Sequence, residues 1–261
     1  MAENYYSLSL FDVGLAATFI LLAGLLSLLF RLGVLKSLFI GAIRTALQLG
    51  LAGIALKTVF GLSHFYLVGL LALLMIVLAG REALRRQKVR PKGLALDVIG
   101  SMALSAFVVS VLVTGVIVGA DPWWHPPVFI PLLGMILGNS LNGISISLER
   151  FLTACKNDRT RIEARLALGA TAHESIQPII RTSLRAGMMP IINAMAIVGV
   201  VSLPGMMTGQ LLAGADPVDA VKYQVVVMYM LAASTTIASA LALLLARRRV
   251  FTADHTLKEL Y

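Results

Sequence analysis

The chain has 261 residues, 58% of them hydrophobic and only 13% charged, with a mean hydropathy of +0.88. That apolar excess excludes an ordinary soluble domain, and the lack of period-two alternation excludes a β-barrel, which leaves an all-α, polytopic bundle of membrane helices. A formal charge of +9 would suit a nucleic-acid binder, but the basic residues lie between the apolar runs, so no nucleic-acid partner is implied.

A helix needs about 20 apolar residues to cross the hydrocarbon layer, and seven such runs can be marked off. They are Leu8–Phe30, Leu38–Phe60, Phe65–Ala79, Leu94–Val118, Val128–Leu148, Gly187–Leu212 and Val218–Ala246. The opening MAENYYSLSLFD has no basic n-region, so the first run is expected to be retained as a span. In span two, Arg44 and Gln48 sit four apart on one helical face. Arginine in lipid is costly, so Arg44 either faces protein or a wet pathway, or snorkels to the cytosolic end.

Trp123 and Trp124 follow a first GADP, at 119–122, and suit the outer interface as an aromatic belt. Span five reads GMILGNSLNGISIS, with Gly134, Gly138 and Asn142 at every fourth position. Small residues at that spacing allow close helix contact, and Asn139 and Asn142 can bond across helices or touch a solute. Cys155 is the lone cysteine. It cannot form an intramolecular disulfide and is read as a small residue in a cytosolic loop.

Residues 162–180, IEARLALGATAHESIQPII, are polar and broken by glycine. They parse into a helix through Arg161–Leu168 that stops at Gly169, then a T-x-x-E capping box from Thr171 to Glu174 that starts a second short helix ended by Pro178. The expected product is a short, stiff cytosolic peg between membrane segments. In span six, Pro190 and Pro204 imply kinks, which makes a moving or pathway-lining element of it. Its Met188, Met189, Met195, Met206 and Met207 are read as flexible packing in preference to soft-metal ligation. A second GADP, at 214–217, starts span seven, with Asp216 as the cap and Pro217 as the first helical residue.

Basic residues crowd the connections after spans one, three, five and seven, for example Arg81, Arg85, Arg86, Arg150, Lys156, Arg181, Arg185 and Arg247 to Arg249. By the positive-inside rule the N-terminus is outside and the C-terminus is in the cytosol. No linker divides the chain, so residues 1–261 are expected to form one membrane domain, with a cytosolic segment at about 149–185. There is no G-x-x-x-x-G-K-[ST] loop to cradle ATP. His64, His125, His173 and His255 are scattered, with no i, i+4 pair for a metal, and no catalytic or metal site is expected.

EARLALGATAHESIQPII resembles the cytoplasmic coupling segment of ABC-transporter permeases. Glu163, Ala164 and Gly169 match E-A-A-x-x-x-G, and Ile179 falls at the later isoleucine; Arg165 replaces the second alanine, and no Leu-Pro follows Ile179. The blocks IPLLGMILGN at 130–139, VGVVSLPGMM at 198–207 and AGADPVDAVKYQ at 213–224 resemble the FetB-type iron-export permeases of bacteria and their plant aluminium-tolerance relatives. Arg44 and Gln48 match an R-x-x-x-Q of the same family.

The resemblance implies an inner-membrane permease subunit that dimerises and docks two copies of a separate ATPase, which binds ATP and Mg. Glu163, Gly169, Ala170, Thr171, Ala172, His173 and Glu174 would form the docking element. Arg44, Gln48, Asn139, Asn142, Asn193, Ser202, Pro204, Met206 and Met207 would be pathway residues. The alternatives are a stand-alone secondary transporter or channel, a scaffold that recruits a cytosolic protein through its basic loops, and an ABC permease for a lipid or sugar conjugate. The stand-alone reading asks for acidic residues inside the spans, and Asp12 and Asp97 lie near boundaries.

Overall fold

A computed structural model of the chain describes residues 9–62, 64–252 and 256–258. His255 and the first eight residues, on which part of the N-terminal reading rests, lie outside the described residues. The described residues are almost wholly helical, in the order α1 (Leu10–Leu29), α2 (Leu35–Leu62), α3 (Phe65–Arg85), α4 (Leu94–Val111), α5 (Pro126–Asn157), α6 (Arg159–Ala167), α7 (Ala172–Ile197), α8 (Gly205–Leu212) and α9 (Pro217–Val250). A π-helical turn over Leu112–Ile117 continues α4. Six of these helices are long and apolar enough to cross a membrane, as expected of a polytopic helical membrane protein.

The helix ends follow local rules. Asp216 accepts from the amides of Val218 and Asp219, with Pro217 opening α9 where its missing N–H costs nothing. Ser9 and Asp12 form a capping box at the start of α1 that the sequence reading does not identify. The helices also outrun the apolar runs. α3 extends through Glu82 to Arg85 and α5 through Cys155 to Asn157, because hydropathy marks the hydrocarbon and a helix continues into water wherever its backbone bonds stay satisfied. Cys155 is therefore not in a loop: it is fully buried in α5, within the same core cluster as Ile162 and Ile176.

The largest departure concerns span six. No continuous helix covers 187–212. Instead α7 starts at Ala172 and runs unbroken past Pro178 and Pro190 to Ile197. A tight turn over 198–204 follows, in which the Gly199 amide donates to the Ser202 carbonyl at 2.9 Å, and then the short α8. Pro178 thus does not end a helix, and Pro204 caps α8 rather than kinking a span. Each proline deletes one bond to the carbonyl four residues back, which a long helix anchored by packing on both sides tolerates. Neither α7 nor α8 is among the six helices long and apolar enough to cross a membrane, so the expected seventh span is replaced by this broken pair.

α5 is the hub, packed by α3, α4, α7 and α9. The close approach is not at Gly138, which has open space around it, but at Gly143 and Gly187. A Cβ on Gly143 would lie 2.5 Å from Thr235 Cγ2 and 2.8 Å from Ser239 Oγ, and one on Gly187 would overlap Ser147 Oγ. α5, α7 and α9 therefore meet through glycine and small hydroxyl side chains, the packing mode that replaces the hydrophobic effect inside lipid.

The two ends of the bundle are chemically distinct. At one, Phe65, Phe107, Trp123, Trp124 and Phe129 pack edge to face with centroids 5.7 to 6.4 Å apart, so both tryptophans are held among aromatic rings. At the other, Arg249 grips Asp97 through two bonds of 2.8 and 3.0 Å, joining the end of α9 to the start of α4. α1 packs on α2, which joins this core only near its C-terminal end through Leu56 and Val59 and is exposed from Ile43 to Ile54.

Candidate functional site

The polar segment after α5 is built in three steps. α6 carries an Arg159–Glu163 pair at 2.7 Å and ends at Leu168, after which Gly169 takes φ +91. The Gly169 amide donates to Leu166 O and the Ala170 amide to Arg165 O, both at 3.0 Å. These two bonds are the Schellman pattern that satisfies the orphan carbonyls of a helix end, and the left-handed residue is glycine because a Cβ would be strained there.

The capping box then forms as the sequence predicts. The Glu174 carboxylate accepts from the Thr171 amide at 2.8 Å and from its hydroxyl at 2.7 Å, while Thr171 Oγ1 accepts from the Glu174 amide at 3.2 Å. The Thr171 amide, then its hydroxyl, hold the Glu174 carboxyl below the ordinary glutamate value. Ile162 and Ile176 anchor the segment in the core, whereas Leu168 is 89% exposed beside exposed Gly169, Thr171, His173 and Glu174; Ala170 and Ala172 are half-buried. Arg165, the departure from E-A-A, donates to Ser175 O at 3.4 Å and so ties α6 to α7. The result is a rigid exposed knuckle on a fixed base, continuous with the 26-residue helix α7.

The proposed pathway residues do not gather at one point. Arg44 lies 3.9 Å from Glu82 on α3, and Glu82 also meets Arg85 at 3.7 Å; Gln48 is exposed on the same helix as Arg44. Asn142 accepts from Arg86 at 2.9 Å, near a cleft of about 710 Å³ whose lining includes Arg86, Glu149, Arg150, Asn157 and Asp158. Asn139 donates to Met135 O in its own helix. Asn193 and Ser202 are exposed, and Pro204 and Met206 half-buried. Met207 lines a cavity of about 400 Å³ with Met195, Gln224 and Met228. Among the described residues no three His, Cys, Asp or Glu side chains come together as a metal site.

A family model described as "Uncharacterised protein family (UPF0014)" matches residues 10–251. The chain belongs to the UPF0014 family. It is 37% identical to UPF0014 membrane protein slr1647 of Synechocystis over 75% of this chain and 76% of that one. It is 33% identical to UPF0014 membrane protein YjkA of Bacillus subtilis over 98% and 99%. To the probable iron export permease protein FetB of Escherichia coli it is 29% identical over 97% and 96%. No solved structure matches.

In this UPF0014 chain several partners of the named residues escape sequence reasoning. Glu82 and Arg86 lie beyond the marked end of span three. Gln224 hides in AGADPVDAVKYQ, where its position about two turns past the Asp216 cap is the only signal. Arg247, counted above as a topological charge, donates to His173 Nδ1 at 2.8 Å across 74 residues of sequence.

Proposed function

We propose that this UPF0014 chain is the membrane subunit of an ATP-driven exporter that sits in the bacterial inner membrane and moves metal cations outward, iron being the cargo named for the FetB relative. A separate cytosolic ATPase binds ATP and Mg and docks on the knuckle at Glu163 and residues 169–174. Two copies of the chain and two of the ATPase make the working unit, and the chain itself catalyses no reaction. The single supporting observation is the continuity of α7: the exposed, doubly capped start at Thr171 and the helix that reaches Ile197 are one element. A push on the knuckle is therefore delivered inside the membrane without a flexible joint. The second copy is supported by α2, which carries Arg44 and Gln48 and is exposed from 43 to 54; Arg44 meets Glu82 at 3.9 Å yet keeps 51% of its side chain exposed, and polar groups left facing hydrocarbon are costly, which a neighbouring copy or the pathway between copies relieves.

The test is co-expression with a candidate cytosolic ABC-type ATPase, followed by copurification and measurement of hydrolysis and of efflux from vesicles. Gly169→Trp places a Cβ at φ +91 and a bulky group on the knuckle, and should abolish stimulated hydrolysis and efflux together while the chain still folds. Wild-type levels of both in that variant would remove the docking reading.

A further inference from the structure

Three of the methionines face a common space. Met195 near the end of α7, Met207 in α8 and Met228 in α9 come from three different helices and line one cavity of about 400 Å³. They are thus not a stripe along one helix face, and the space between them is open rather than filled. Gln224 lines the same cavity. It is only 6% exposed, and its Oε1 has no hydrogen-bond partner. A buried amide oxygen left unpaired is a cost that native structures avoid unless a ligand, ion or water supplies the partner.

The side-chain donors in the lining are three thioethers, the Gln224 amide oxygen and the Tyr229 phenol, with no carboxylate, imidazole or thiol among them. Hard divalent ions need carboxylates to balance their charge, and thioethers select soft ions of low charge. The cavity is also placed to matter. Val198, Gly199 and Leu203, from the turn between α7 and α8, form part of its wall, so displacement of α7 alters its shape.

We infer that this cavity binds a soft monovalent metal cation of the Cu(I) and Ag(I) class through the sulfurs of Met195, Met207 and Met228, with Gln224 Oε1 as an oxygen donor. The assignment rests on the export reading for its role as cargo site, but not for binding itself.

The probe is Ag(I), which is stable to oxidation, with the full chain purified in detergent as a Cys155→Ala variant so that the thiol does not compete. Equilibrium dialysis with elemental analysis of bound silver should give one tight site per chain. The triple change Met195→Leu, Met207→Leu and Met228→Leu keeps volume and apolarity while removing sulfur, and should weaken that site at least tenfold. Met207→Leu alone should weaken it several-fold, which preserves the test should the triple variant not fold, as read by gel filtration and thermal unfolding. Gln224→Leu should act in the same direction. Unchanged silver affinity in the leucine variants overturns the inference. So does the absence of a site in the starting chain, the result expected if a lipid tail or a second copy fills the cavity, and so does displacement of silver by equimolar Fe(II). Silver binding without ATPase coupling would sink the export reading and leave this site standing; coupling without silver binding would do the reverse.

Discussion

The Arg247 guanidinium, in the last turn of α9, donates to Nδ1 of His173, in the first turn of α7, at 2.8 Å. Arginine is a donor only, so this His173 nitrogen accepts, and the start of α7 is tied to the end of α9 as well as to α6. A load on the knuckle therefore reaches two membrane helices. In an Arg247→Ala chain, hydrogen exchange at residues 173–176 should rise while the middle of α9 keeps its protection. Unchanged exchange there would mean that the contact carries no load.

The capping box sets the rigidity of the knuckle. Thr171→Ala removes the hydroxyl that accepts from the Glu174 amide and should cost about 0.5–2 kcal/mol of local helix stability, read as faster exchange over residues 172–176. If exchange matches the wild type, water satisfies those amides equally well.

Glu174 adds a pH dependence with a definite sign. Its folded-state pKa is held below the ordinary value of 4.5 by the hydrogen bonds from Thr171, so the stabilisation is complete above pH 4.5 and is lost as pH falls through the lowered value. Acid should fray the start of α7 only below about pH 4.5. Glu174→Gln, which keeps the reach back to the Thr171 amide, should abolish that acid response; fraying at pH 6 in the wild-type chain would contradict the assignment.

Gly187 is the position least able to accept a side chain, since a Cβ there overlaps Ser147 Oγ and lies 2.5 Å from the Gly143 carbonyl. Gly187→Ala should lower stability by about 1–3 kcal/mol through forced separation of α5 and α7. Ser147→Gly in the same chain should restore part of the loss. Thermal unfolding in detergent reads both, and failure of the second change to help would mean that the α5 backbone, rather than the hydroxyl, is the obstacle.

Asp97 and Arg249 clamp the start of α4 to the end of α9, and Gly93, at φ +87, lies against that guanidinium. Asp97→Asn should loosen the connection between α3 and α4, seen as faster proteolysis at residues 86–93. Arg249→Lys should resemble it, because an ammonium lacks the planar fork that meets both carboxylate oxygens. Wild-type cleavage rates in both would assign the clamp no role.

Much of this architecture is legible in the sequence because it depends on local chemistry. The apolar runs, the Gly169 stop, the Thr171 and Glu174 box and the Asp216 cap each involve residues within a few positions of one another. What is not legible depends on distant partners. Pro178 reads as a terminator because proline breaks helices in isolation, and only the burial of Ser175, Ile176 and Ser183 against neighbouring helices lets α7 continue through it. Cys155 reads as a loop residue because hydropathy falls at Glu149, although the helix does not stop there. Gly138 and Gly143 look alike in sequence; which one meets another helix is decided by the rotation of α5 against α9. Gln224 is one polar residue in an apolar run until the cavity beside it is visible.

The tight seat of Gly187 has a mechanical corollary for the helix it belongs to. It lies fifteen residues from Ala172 and ten from Ile197, roughly 22 Å and 15 Å along an α-helical axis. A rod held at such a fulcrum is a lever of unequal arms: a sideways swing of about 3 Å at the Ala172 tip becomes an opposite swing of about 2 Å at the Ile197 tip. A push on the knuckle would then move the far end of α7 the opposite way, so closing at one end of the bundle and opening at the other would be one rotation.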